Sequence, residues 1–203
     1  MKPMKLIVSF LPLIVFSVLA RILPHGYIGI AGLAAAVTAL VAIVISRPIW
    51  PPKILLACSL VLFTLIAVLG FTLGKTDDRW LATWSGGGIG VILGLIVLAL
   101  IPVMPFTEQF ARETTPQAYW SSPTFKKINR VLSTAWGLAI VAAGLCRIAA
   151  AAINEHTTRS LPEILLGLVI PAGIFLYMLK FSKTYPDRVT HQPDQAPAGH
   201  QDG

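Results

Sequence analysis

The chain has 203 residues, of which 55% are hydrophobic and only 12% charged, about half the charged share of an ordinary soluble domain. Too few polar side chains remain to cover a water-exposed surface, which excludes a soluble globular fold. The formal net charge of +7 is read as loop charge that orients spans and meets anionic lipid, because no basic run is interleaved with aromatics as a nucleic-acid surface would require.

A helix needs about 20 apolar residues to cross a roughly 30 Å hydrocarbon core. The first such stretch, residues 5–23, follows Lys2 and Lys5 and contains Pro12. Its basic start, apolar run and small Ala20 also fit a cleavable signal sequence, although Arg21 follows directly. The second span is predicted over 27–45, closed by the Arg47-Pro48-Ile49-Trp50-Pro51-Pro52-Lys53 segment, whose prolines cannot continue a helix. The third covers 54–73 and ends at the charged turn Lys75-Thr76-Asp77-Asp78-Arg79. The fourth covers 84–101.

Residues 102–130 form the longest internal loop, with Glu108, Arg112 and Glu113 among Phe106, Phe110, Tyr119 and Trp120. Thr107 to Glu113 is expected to form a short helix, with Phe110 on the headgroups and Glu108 paired to Arg112 at i,i+4. Ser122 and Pro123 read as the N-cap and first residue of the helix that becomes the fifth span, 131–153. The sixth span, 161–181, opens on the capping box Ser160-Leu161-Pro162-Glu163. Residues 182–203 turn polar and are expected to be a disordered tail.

The expected fold is therefore all-α, a polytopic bundle of about six membrane helices in one domain. An N-terminus on the cytoplasmic side leaves only Arg21, Lys75, Arg79, Arg147 and Arg159 of the 16 Lys and Arg on the opposite side, so both ends are placed in the cytoplasm.

Gly86, Gly90 and Gly94 recur every fourth residue and leave one helix face bare, so another backbone can approach; the partner is either a helix of this chain or a second copy. Ala31, Ala35 and Ala39, and Ala135, Ala139 and Ala143, make small-residue stripes that would suit that face. Arg147 is the one charge set deep in an apolar span, where burying it is costly. It reaches outward to water, pairs with Glu163 or Glu155, or binds lipid. Cys58 and Cys146 read as small buried hydrophobes, and His25, His156, His191 and His200 lack ligands at metal spacing, so no metal or cofactor is expected. No Ser, His and acid are set at one depth for hydrolysis.

Three motifs carry a resemblance. Phe10-Leu11-Pro12-Leu13-Ile14-Val15-Phe16, Asp77-Asp78-Arg79-Trp80-Leu81-Ala82-Thr83-Trp84 and Arg130-Val131-Leu132-Ser133-Thr134-Ala135-Trp136 resemble the first helix, the acidic and aromatic turn, and the fifth-helix opening of the intracellular septation protein A family. The resemblance implies a non-enzymatic protein of the bacterial inner membrane, linked to septation and the cell envelope. Its partners would be membrane lipids and other inner-membrane proteins, among them division or wall-synthesis machinery, met through helix faces and a cytoplasmic surface at Phe110, Arg112, Trp120, Arg130 and Trp136. The competing expectation from the residues alone is a small-solute transporter or channel, with Arg147 its principal polar group. A membrane enzyme would have to draw on Asp77, Asp78, Glu155, His156 and Glu163.

Overall fold

The computed structural model describes residues 3–23, 27–45, 53–72, 75–154 and 161–190, with the side chains of 3–6, 75–79, 154 and 190 excepted. The helices in chain order are α1 (Pro3–Ile22), α2 (Ile28–Ile45), α3 (Ile54–Thr72), α4 (Lys75–Ala99), the short α5 (Phe106–Ala111), α6 (Pro123–Asn154), α7 (Leu161–Ile164) and α8 (Ile170–Thr190). A single 3₁₀ turn, Gln117–Tyr119, precedes α6, and a π-helical segment, Leu165–Val169, joins α7 to α8. Among the described residues there is no strand.

Among the described residues five segments are long and apolar enough to cross a membrane: Ile28–Ile45, Ile54–Thr72, Trp80–Ala99, Pro123–Ile153 and Leu161–Val189. The apolar part of α1, Ile7–Ile22, is shorter and packs beside them. The outward faces carry Val37, Leu40, Val61, Leu65, Leu95, Leu138, Leu145 and Leu176, all exposed. Hydrocarbon is the solvent in which such a surface is stable, because the backbone polar groups are satisfied inside each helix. This is a multi-pass helical membrane protein.

Two helix pairs set the bundle. Along α4 and α6 the backbones nearly touch. A Cβ at Gly144 would lie 2.7 Å from Val91 N, one at Gly94 would lie 2.8 Å from Val141 N, and one at Gly90 3.1 Å from Gly144 Cα. A Cβ at Gly87 would likewise lie 2.9 Å from Ile148 N. The glycine face of α4 is thus covered by α6 of the same chain. Its counterpart is the Gly137, Val141, Gly144 and Ile148 face, not the Ala135, Ala139 and Ala143 stripe. The α2/α3 pair is equally close, with a Cβ at Gly70 falling 2.5 Å from Gly29 N. Ala31, Ala35 and Ala39 are fully buried there.

Toward the end of the bundle that carries α5, a core forms from Phe10, Leu55, Leu93, Val97, Phe106, Phe110, Trp136, Ile140 and Met178. Toward the opposite end, here the far end, Phe16 packs on Phe63 with ring centroids 5.0 Å apart, among Ile28, Ile66, Leu81 and Ile89.

Helices extend past the apolar spans because their ends find polar partners. Ser122 Oγ accepts from Phe125 N at 3.2 Å and starts α6 at Pro123, so the polar residues 123–130 are helix and the loop is shorter than 102–130. α8 runs to Thr190, which corrects a tail beginning at 182. Ser182 is buried and accepts from Trp136 Nε1 at 2.7 Å, and Phe181 packs on Tyr185, so this stretch belongs to the bundle. Trp50 and Ser160 lie outside the described residues.

Candidate functional site

Arg147 lies about 10 Å along α6 before its end at Asn154, at 1.5 Å per residue. Its Nη1 donates to Ser17 Oγ on α1 at 2.5 Å, and Ser17 Oγ donates to Leu13 O at 2.6 Å. Gly86 makes the space: a Cβ there would lie 2.8 Å from Arg147 Nη2. The guanidinium is therefore turned into the bundle, against α1 and α4, and does not reach outward along its own helix. Glu163 does not pair with it. Glu163 Oε1 stands instead 4.0 Å from Arg21 Nη1, at the outer limit of an ion pair. Among the described residues no carboxylate lies within ion-pairing distance of Arg147, and Glu155 lies outside them.

The segment facing Arg147 is broken by its own sequence. Ile170 N–H donates to Leu165 O in π register, and Pro171 has no N–H to give to Gly167 O four residues earlier. Arg21 Nη2 from α1 donates to that carbonyl at 2.7 Å. A side chain from a neighbouring helix thus satisfies the group that proline frees, as hydrocarbon demands.

These contacts frame a cavity of about 320 Å³ between α1, α4, α6 and the π segment with α8. Its floor is aromatic: Trp136 stacks on Phe10 at 5.0 Å, and Phe175 meets Phe10 edge-on at 5.2 Å. Ala139 and Ala143 line one wall and Ile14, Leu168 and Ala172 the other; Ser17 and Arg147 are the polar side chains of the lining. Helices α1 and α8 meet at the floor through Phe10 and Phe175, while at the far end α1 meets the π segment through Arg21 and Gly167. Between those two contacts they part, along roughly 16 Å of α1. Ile14, Val18 and Leu168, which line the cavity here, are also exposed. The cavity opens sideways, between α1 and α8.

Of the cytoplasmic surface expected from the sequence, Phe110 and Trp136 are interior and Arg112 and Trp120 half-buried. Trp136 is 1% exposed and Phe110 3%, the latter because α5 tucks its apolar side under the bundle instead of lying on headgroups. Arg112 donates to Glu108 Oε1 at 2.6 and 3.0 Å and sits over the Trp120 ring, while Trp120 Nε1 donates to Thr115 O. Of that set only Arg130 is exposed. Gln109 Oε1 accepts from Ile54 N, Lys53 pairs with Glu113 at 3.2 Å, and Thr107 joins Asn129 and Ser133, so α5 is fastened to the starts of α3 and α6.

Among the described residues no group of three His, Cys, Asp or Glu gathers. The side chains of Asp77 and Asp78, together with Glu155 and all four histidines, lie outside them. What sequence reasoning missed is the pairing of Arg21 with Pro171. Arginine at the end of one span and proline within another are both plain in the sequence, but their meeting is tertiary.

Fold and cavity define a polytopic α-helical membrane protein with a laterally open, arginine-bearing pocket. No family model matches the chain, and neither characterised proteins nor solved structures give a significant match.

Proposed function

We propose that this is a non-enzymatic protein of a bacterial inner membrane that binds, and as a transporter would move, a small amphiphilic solute drawn from the bilayer. Six spans with both ends in the cytoplasm put the far end, with Arg147 and Arg21, at the outer leaflet. The observation that carries the reading is the sideways-opening cavity with a half-buried arginine at its top. An ionisable group inside a membrane helix that faces a cavity is by default a ligand or pathway group, and about 320 Å³ lies at the low end of the roughly 300–1,000 Å³ found for small-molecule sites.

The test is an uncharged diazirine-bearing alkane added to membranes, with labelled residues located by mass spectrometry. Labelling of Phe10, Trp136 and Ala143, abolished by Ala143→Trp, is expected. Labelling confined to outward residues such as Leu138 and Leu145 would contradict it.

A second reading, the envelope or septation role that the resemblance implies, is favoured by the exposed basic rim of Lys126, Lys127 and Arg130 at the start of α6. That rim could meet division or wall-synthesis proteins. The glycine face cannot serve this purpose, since α6 covers it. Loss of a division partner on reversing the three charges, with the cavity unaffected, would favour this role.

A further inference from the structure

The cavity is charged in one place and apolar elsewhere, and that placement specifies its occupant. Resting on the binding reading above, we propose that it takes one acyl chain of an anionic phospholipid, whose phosphate is held by Arg147 with Arg21 beside it.

Charge is the first reason. Two guanidinium groups stand at this end of the cavity, Arg147 in its lining and Arg21 on the carbonyl of the lining residue Gly167; among the described residues the carboxylate nearest to pairing with them is Glu163, 4.0 Å from Arg21. An anion between them relieves their repulsion. The donors are the second reason. Among the described residues Arg147 makes one side-chain hydrogen bond, to Ser17, and a guanidinium carries five N–H groups in a fork that matches phosphate. Ser17, fixed on Leu13 O, holds the fork in place while leaving the other donors for a ligand.

Direction is the third reason. Arg147 and Arg21 lie toward the far end and Phe10, Trp136 and Phe175 further toward the end that carries α5, so polarity falls from the far surface inward. A lipid of that leaflet presents head and tail in the same order. The opening between α1 and α8 admits it without its leaving the bilayer, and the cavity has room for part of one chain while the remainder and the second chain stay outside among Val18 and Leu168.

Trp136 on the floor supplies the probe, since bromine on an acyl chain quenches a nearby indole. The protein is reconstituted in phosphatidylcholine nanodiscs and titrated with chain-brominated phosphatidylglycerol, phosphatidylcholine or free fatty acid; the Trp136 signal is the difference from Trp136→Phe. Phosphatidylglycerol is expected to half-quench Trp136 at about one-tenth the mole fraction that phosphatidylcholine needs, as a charge-assisted phosphate contact implies. Arg147→Gln should bring the two lipids within about twofold, and Arg147→Lys should keep part of the preference. Equal quenching by both phospholipids in the wild type overturns the anionic assignment and leaves the cavity reading intact. Stronger quenching by the fatty acid than by phosphatidylglycerol assigns the site to a free amphiphile and overturns the phospholipid. No quenching of Trp136 by any of the three sinks the binding reading itself.

Discussion

Trp136 and Ser182 show how a side chain's partner decides its role. The indole is fully enclosed, stacked on Phe10 and donating to Ser182 Oγ at 2.7 Å. Ser182→Ala leaves that buried N–H without an acceptor and is expected to lower stability by about 1–3 kcal/mol with Trp136 present, and by less in the Trp136→Phe background, where no donor remains. Unfolding in mixed micelles measures this cycle, and additive effects would argue against the bond. The glycines divide in the same manner. Gly144→Ala drives a Cβ to 2.7 Å from Val91 N and is expected to cost about 1–3 kcal/mol. Gly88→Ala and Gly173→Ala meet nothing within 4 Å and should be neutral or gain up to about 1 kcal/mol of helix propensity. The every-fourth-residue spacing of Gly86, Gly90 and Gly94 was legible as a bare face. That Gly86 serves Arg147 and not the helix contact was not, because its neighbour comes from a distant part of the chain.

At the scale of elements, the π segment and α1 depend on each other. Pro171 frees Gly167 O and Arg21 satisfies it, so the two residues should be energetically coupled. Arg21→Met is expected to cost about 1–2 kcal/mol with Pro171 present, and markedly less with Pro171→Ala, where a restored N–H can reach the carbonyl. Additive effects in this double-mutant cycle would show that Arg21 does not act through that group. Apolar length located the spans in the sequence, and Ser122 with Pro123 placed the start of α6. The extension of α8 past residue 181 was hidden, since composition reports the mean polarity of a segment and not that Ser182 and Phe181 have partners. The same blindness put Phe110 on the membrane surface, although α5 turns it into the core.

For the whole molecule, two tightly paired helix couples, α2/α3 and α4/α6, leave α1 and α8 as the looser walls of a cavity that opens to lipid. The proposed orientation rests on loop charge: with both ends in the cytoplasm, a single cysteine at Lys127 should react with an impermeant maleimide only in inverted membrane vesicles, and labelling in right-side-out vesicles would turn the bundle over. The bundle was legible from composition and span length, because bilayer thickness sets both. The cavity was not, since it exists only where α1, α4, α6 and α8 converge on Arg147. Native mass spectrometry of the protein released from membranes of mixed phosphatidylglycerol and phosphatidylethanolamine tests that convergence most directly. The wild type is expected to retain one phosphatidylglycerol, lost in both Arg147→Gln and the cavity-filling Ala143→Trp; retention unchanged in both variants, or a wild type that carries no lipid, would contradict a lipid site at Arg147.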